Sequence, residues 1–355
     1  MNIRKLSLAI GLAFAGLSGS AFAVTAPFTY LAPGFNQALI VTDGAAGSTS
    51  LAGVTLGLDG FLYTNDAGGS LLAKWNPAST TTVHGSSLYA LVASAGGAAS
   101  SNWGITTDSA GNLYSLGSAG LYSINKTTLA GTFVGPAGVY GLAYDKSSDS
   151  FYSSDGTSII HTLKNGTSTI LASYGSFIDQ VAIDPTGNFV AGAILGSSQV
   201  GIWNKATGAF VGSPFALGGH SADGLAFDSA GNIFTNNTDG TITRLDFGAG
   251  GYAGGTTGLD LIASGGFYGD LASVGPDGAF YVSQYGTRYA DGTTDFGSAS
   301  IVRITMTDGG FVDGGNGGVQ NPNGGGAVPE PATYGLVAAG MLAGLAILRR
   351  RKAQA

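Results

Sequence analysis

The chain has 355 residues, with 62 Gly, 10 Pro and no Cys, and only 10% of its residues are charged against 44% hydrophobic. The lack of cysteine excludes disulfides and thiolate metal or redox sites, and the body between residues 24 and 328 sets 8 Lys/Arg against 20 Asp, a net of −12 that argues against nucleic acid or anionic lipid as a partner. All acidic residues except Glu330 are Asp, and Gly, Ser, Thr and Asn stand where helix surfaces use Glu and Lys, which excludes a mostly helical protein.

In chain order, residues 1–23 read as a secretory signal. Arg4 and Lys5 form a basic start, Leu6–Leu17 an apolar run, and Ala21-Phe22-Ala23 a small-x-small site with cleavage expected after Ala23. The run is shorter than the roughly 20 residues a permanent span requires. Next, Gln37–Thr42 is predicted as a strand that pairs with the end of the chain and closes a ring, removing exposed edges.

From Gly53 onward one phrase recurs: an alternating strand, a turn with Gly, and a strand ending in an aromatic or aliphatic residue. Its copies are Gly53–Tyr63, Gly104–Tyr114, Gly141–Tyr152, Gln180–Val190, Gly224–Phe234 and Asp270–Tyr281, whose last residues are 51, 38, 38, 44 and 47 apart. Such spacings fit one blade of a propeller. The second position is always aliphatic (Val54, Ile105, Leu142, Val181, Leu225, Leu271) and the third always small (Thr55, Thr106, Ala143, Ala182, Ala226, Ala272). Side chains alternate faces along a strand, so one face packs on a neighbouring sheet and the other lies in a crowded place, as near a central axis. Asp108, Asp184 and Asp228 open the turns as caps, and Gly111, Gly187 and Gly231 supply positive φ.

A second hairpin is predicted after each phrase: around Leu71–Leu91, then Gly120–Val134, Ser158–Ala172, Gln199–Val211, Thr241–Ile262 and Ser300–Val312. Four strands per unit and six units give an all-β, six-bladed β-propeller over residues 24–308. A seven-bladed ring, with a degenerate blade drawn partly from residues 28–52, is the alternative. The repeats resemble those of the NHL and gluconolactonase-type propellers, most clearly in Ser221–Phe234, SADGLAFDSAGNIF. That resemblance implies the fold, which many unrelated functions share.

The chain ends with a Gly/Asn-rich linker at 309–327, then Val328-Pro329-Glu330-Pro331, an apolar segment Thr333–Leu348 and the basic cluster Arg349-Arg350-Arg351-Lys352. Sixteen residues make about 24 Å of helix, marginal for a permanent span, and the basic cluster holds that end in the cytoplasm. Residues 328–355 resemble the PEP-CTERM sorting signal of Gram-negative bacteria that make exopolysaccharide, with Pro329, Glu330 and Pro331 as the motif and Arg349, Arg350 and Arg351 behind the helix. The resemblance implies export across the inner membrane, transient anchoring through the helix, cleavage by an exosortase, and delivery to the cell surface or matrix, with exopolysaccharide or surface proteins as further partners. An ordinary C-terminal membrane anchor is the other reading.

For a site, the loops leading into the inner strands bring Asn102-Trp103, Val139-Tyr140, Ile178-Asp179, Ala222-Asp223 and Gly269-Asp270 to the channel mouth. Asp179, Asp223 and Asp270 offer oxygen ligands of the kind Ca²⁺ takes, or serve as local turn caps. Asn102, Trp103 and Tyr140 offer an amide and two rings to a sugar, or the rings fill a shallow core. No cofactor is required by any motif. Asp223-Gly224 is similar to the metal-binding turn of calcium-dependent gluconolactonase-like enzymes, with Ala222 in place of its proline. Those enzymes also use a Glu on the first blade, and residues 1–329 contain none. Three readings stand: a non-enzymatic binding module for polysaccharide or protein, a calcium-dependent lactonase-type hydrolase, and a propeller with only structural or adhesive duties. His84, His161 and His220 lie in different blades and form no recognised catalytic motif.

Overall fold

A computed structural model describes residues 27–43, 51–66, 71–76, 89–94, 103–117, 119–288, 294–295, 299–307 and 309–312. The signal, His84, Asn102 and the sorting segment lie outside them. Strands dominate, and the one helical element among the described residues is the 3₁₀ turn Tyr252–Gly254.

Six antiparallel sheets surround one axis. Blade 1 consists of Leu51–Leu56, Leu62–Asp66, Leu71–Trp75 and Tyr89–Ser94. Blade 2 is Ile105–Thr107, Leu113–Gly117, Gly120–Ile124 and Gly131–Gly135; blade 3 is Tyr140–Asp145, Ser150–Ser154, Ser158–Leu163 and Ser168–Ser173. Blade 4 runs through Ile178–Ile183, Phe189–Ile194, Gln199–Asn204 and Phe215–Ala216, and blade 5 through Ala222–Asp228, Ile233–Asn237, Ile242–Phe247 and Thr256–Ser264. Blade 6 takes three strands from the end of the chain, Gly269–Val274, Phe280–Gln284 and Ala299–Met306, and its outer strand, Phe35–Asp43, from the start. The ring is six-bladed, and the described residues of 28–52 join blades 5, 6 and 1.

The repeat phrase is the inner hairpin of each blade. Both its aliphatic and its small column are buried in all six copies, because the inner strands meet around the axis. The first position explains the glycines. A Cβ on Gly224 would meet the Asp270 carbonyl oxygen at 2.6 Å and the Ala272 Cβ at 2.9 Å, so the adjacent inner strand fits only against bare backbone. The turns behave as expected: the amides of Ala110 and Asn112 donate to Asp108 Oδ1 (3.0 and 2.8 Å), and those of Ala230 and Asn232 to Asp228 Oδ1 (both 2.9 Å). Gly111, Gly187 and Gly231 sit at φ 79°, 72° and 87°.

These turns mark the base of the ring, and there lysines join neighbouring blades. Lys126, Lys164 and Lys205 each follow a third strand and reach the turn carboxylate of the preceding blade: Asp59 (3.6 Å), Asp108 (2.8 Å) and Asp145. Burial alone would raise the Asp108 and Asp145 carboxyls, but the bonds from Lys164 and Lys205 and from the turns hold both below the ordinary Asp range.

Two predicted hairpins need correction. In blade 4 the outer strand forms beyond Val211, at Phe215–Ala216, while Phe210 makes only an isolated bridge to Trp203. Pro214 lacks an amide to give, so the ladder resumes after it. In blade 6, Ser300–Val312 is not a hairpin, because Phe35–Asp43 already occupies the outer edge of Ala299–Met306. Instead, Phe311–Val312 crosses beneath the ring and pairs with Phe227 and Asp228 of blade 5. Phe311 is 1% exposed, packed on Phe234 and Phe280 with ring centroids 4.7 and 5.2 Å away. Phe311–Val312 thus belongs to the sheet of blade 5. The N-terminal segment clasps the same region: Tyr30–Leu31 adds to blade 5, and Gln37 exchanges hydrogen bonds with the Phe28 backbone (2.9 and 3.0 Å).

Candidate functional site at the channel mouth

The mouth is the face where the inner strands begin. There the ladders of blades 4, 5 and 6 slip register, between Ile178 and Val181, between Ala222 and Gly224, and between Gly269 and Ala272. A bulge leaves residues off the ladder and re-aims their side chains. The off-ladder residues include Asp179, Asp223 and Asp270. The bulge also brings Asp270 into the cluster, although it stands one column later than the other two.

The three carboxylates interact. Asp179 and Asp223 share a side-chain hydrogen bond, and both Asp179 and Asp223 act electrostatically with Asp270. They are buried, at 4%, 4% and 1% exposure, and Asp179 Oδ1, Asp223 Oδ1 and Asp270 Oδ2 have no hydrogen-bond partner. Burial first, then mutual repulsion, pushes Asp223 well above the ordinary carboxylate range and Asp270 up to about 7; Asp179 is raised by burial. Burial thus favours the protonated form of all three carboxyls relative to an ordinary Asp. As oxygen donors the three have the chemistry for Ca²⁺. Yet no group of three acidic or imidazole side chains among the described residues has metal-holding geometry, so the trio as arranged does not fit the ion.

Two tyrosines cover the cluster. Tyr285 bonds Asp270 through its side chain, and its amide donates to the Tyr268 carbonyl (2.8 Å). The two rings meet edge-on at 5.4 Å. Tyr268 is 48% exposed, and its hydroxyl is pushed upward by burial and by all three carboxylates. Across the mouth, an aromatic arc spans blades 2 to 4. Trp103 and Tyr140 are bridged through their backbones with centroids 6.0 Å apart, and Tyr140 meets Phe177 at 4.8 Å. Phe177 is 37% exposed, while Trp103 and Tyr140 are half-buried. The predicted ring pair is thus present and one residue longer; Asn102 lies outside the described residues.

Gln180 closes the channel below. It occupies the position that is Gly in four other blades, and its side chain ties the inner strands of blades 4, 5 and 6 together. Its Nε2 donates to the Ala272 carbonyl, while Oε1 accepts from the amides of Ala272 (2.9 Å) and Leu225 (3.1 Å). The space left among these inner strands holds about one water.

Phe177, Tyr268, Tyr285 and Gln180 escaped the sequence reading. A signal for two of them exists: Phe177-Ile178-Asp179 and Tyr268-Gly269-Asp270 both place an aromatic two residues before the acid. The histidines stay apart from the site. His161 stacks on Tyr152 (4.7 Å) with Nε2 on Ser150 Oγ (2.8 Å), and burial lowers its pKa. His220 Nδ1 meets Asp239 Oδ2 at 2.6 Å in a surface turn.

Residues 327–352 match the PEP-CTERM protein-sorting motif. No curated protein matches the chain. Among solved structures, the fold is similar to a luciferin-regenerating enzyme (13% identity, TM-score 0.56, 77% of this chain and 98% of that one). It is also similar to a gluconolactonase from Xanthomonas campestris (12%, 0.55, 79% and 94%) and to the PQQ-bound aldose sugar dehydrogenase of Streptomyces coelicolor (12%, 0.55, 78% and 100%). At such identities the likeness establishes the propeller fold alone. The chain thus joins a six-bladed propeller to a sorting motif that implies export and processing by an exosortase.

Proposed function

We propose that this protein is an exported surface or matrix propeller that acts as a non-enzymatic binding module, taking carbohydrate at its mouth. The observation that carries the reading is the arc Trp103–Tyr140–Phe177, with Phe177 exposed, on the same face of the ring as the exposed Tyr268. Flat rings lining a shallow site suit the apolar faces of pyranose rings better than a globular protein surface. The net charge of −12 over residues 24–328 favours neutral or amine-bearing sugars over uronates. Secretion through the residue 1–23 signal and release after the Pro329-Glu330-Pro331 cleavage would deliver the mouth to extracellular polysaccharide.

Calorimetric titration with neutral, amine-bearing and uronate oligosaccharides tests the mouth. Truncating an aromatic anchor at a binding site costs about 1–2 kcal/mol, so Tyr140→Ala should weaken binding about 5- to 30-fold. Equal affinity in the variant, or preference for uronates, would overturn the reading. For sorting, Glu330→Ala should leave an uncleaved, membrane-retained chain by fractionation; unchanged processing defeats that half.

A calcium-dependent lactonase-type hydrolase is the second reading, favoured by the unpartnered oxygens of Asp179, Asp223 and Asp270. It requires the trio to rearrange around an ion. An ion at 100 times its Kd adds about 2.7 kcal/mol to the folded state, so a calcium-dependent rise in melting temperature, reversed by EDTA and absent in Asp223→Ala, would support it.

A further inference from the structure

Each inner strand is entered by a connector that crosses the mouth face from the outer edge of the preceding blade. Four of these connectors bring a large aromatic ring to that face: Trp103 before blade 2, Tyr140 at the start of blade 3, Phe177 before blade 4 and Tyr268 before blade 6. The connector into blade 5, residues 217–221, reads Leu-Gly-Gly-His-Ser and brings an imidazole instead, that of His220. His220 stands apart from the acid cluster and from the arc, but it fills the interval between Phe177 and Tyr268.

Hydrogen bonds join these neighbours. On one side, the Leu195 amide donates to the Phe177 carbonyl (3.0 Å), and the next amide, that of Gly196, donates to Ser221 Oγ (3.0 Å). On the other, the Thr238 amide donates to the Ser221 carbonyl (2.9 Å), and the Gly266 amide, two residues before Tyr268, donates to the Gly240 carbonyl (3.0 Å). The connectors and turns of blades 4, 5 and 6 are thus linked into one stretch of the mouth face.

The imidazole is held in one orientation. His220 Nδ1 lies 2.6 Å from Asp239 Oδ2 and 3.1 Å from Thr241 Oγ1. Burial alone would raise the Asp239 carboxyl, but the bonds from Thr241 and His220 hold it below the ordinary Asp range. As a carboxylate it only accepts, so Nδ1 carries the proton and the tautomer is set. Nε2 is left with no bond to a described residue, on a side chain 29% exposed. The turn does not need the ring for its own cap, because Asp239 Oδ1 accepts from the Thr241 amide (3.2 Å) and hydroxyl (2.6 Å).

Apolar surface with a few placed polar groups is how a binding site fixes the orientation of its ligand. Rings read the face of a pyranose, whereas a fixed nitrogen reads the direction of one hydroxyl. A hydroxyl both donates and accepts, so it can pair with Nε2 whether or not that atom carries a proton. We propose that His220, oriented by Asp239, is the specificity-determining contact of the carbohydrate site, its Nε2 hydrogen-bonding one hydroxyl of a neutral hexose and so distinguishing hexose epimers. This rests on the reading of the mouth as a carbohydrate site.

The test is calorimetric titration of the full-length protein with neutral gluco-, manno- and galacto-oligosaccharides of equal length. The parent should prefer one of the three at least fivefold. His220→Ala should weaken binding of the preferred sugar about 3- to 10-fold, the scale of one lost hydrogen bond, and bring the three affinities within about twofold of one another. Asp239→Ala, which frees the ring, should move the ratio the same way, while Asp239→Asn, which keeps an acceptor for Nδ1, should restore most of the preference. A merely structural role for His220 would lower all affinities together and leave their ratio intact. An unchanged ratio in His220→Ala, or a parent that binds all three equally, overturns the assignment while leaving the carbohydrate reading to the Tyr140→Ala result. A parent that binds none of the three overturns both.

Discussion

Gln180 is the most exposed point of the structural reasoning, because one side chain joins three blades. Replacing it with Leu keeps an apolar chain of similar volume but removes the bond to the Ala272 carbonyl and both bonds from the Leu225 and Ala272 amides. These backbone groups lie deep in the ring, where an unpaired polar group costs about 1–3 kcal/mol. Water can recover part of the loss, so the net cost is about 3–6 kcal/mol, a large share of a typical folding stability. At about 2 °C per kcal/mol for a domain of this size, melting should fall by about 6–12 °C. Urea unfolding of the processed chain would measure it, with an unchanged slope showing that the unfolded state is the same. Gln180→Glu sharpens the test by losing the donor and placing a fourth carboxyl beside Asp179, so its deficit should grow between pH 5 and 8. A Leu variant within 1 kcal/mol of the parent would refute the plug.

Two further outcomes follow from the charged groups. The folded-state pKa values of Asp179, Asp223 and Asp270 lie above the unfolded value near 4, so the folded protein holds protons the unfolded chain has lost. Stability should therefore be greatest at low pH within the native range and fall as pH rises from about 4 through about 7; Asp223→Asn should flatten that slope and stabilise the protein at pH 8, and a parent with no slope in urea midpoints across pH 5–8 would contradict the assignment. Asp108 is the opposite case: its lowered pKa contributes stability above pH 4 that is lost on acidification. Lys164→Met leaves that carboxylate short of its cation, which should cost about 1–2 kcal/mol at pH 7 and move acid unfolding, followed by circular dichroism, to higher pH.

The blades were legible because each inner hairpin must satisfy several local demands at once. A small residue beside the axis, an Asp that caps its own turn and a Gly at positive φ recur together, and each has a physical reason that acts within a dozen residues. What escaped was decided between blades. Nothing near Gln180 announces that its side chain ties three blades together, since its partners Leu225 and Ala272 lie 45 and 92 residues on. Lys126, Lys164 and Lys205 are similar: their shared place after a third strand is visible, but the acceptor belongs to the preceding blade. Phe311 looked like the end of a hairpin because its local pattern is a strand, and only the prior occupation of blade 6 by Phe35–Asp43 redirects it. At the mouth, the acids were found from their position at the strand starts, while the bulges that turn them inward are a property of the paired ladders.

The two-ended construction of blade 6 sets an order of events. Phe35 pairs with Met306 and Asp43 with Ala299, so the first strand made is the last to find its partner. In synthesis from the N-terminus, Phe35–Asp43 emerges well ahead of that partner, and until Ala299–Met306 follows, the ring has an open seam and that strand has no ladder. The loop to be closed spans nearly the whole propeller, the slowest kind of contact to form. Closure thus becomes possible only when the residues just before the sorting segment have emerged. A chain cut short within blade 6 would present unpaired strand edges to its neighbours, so the ring is completed only by nearly the last residues of the propeller.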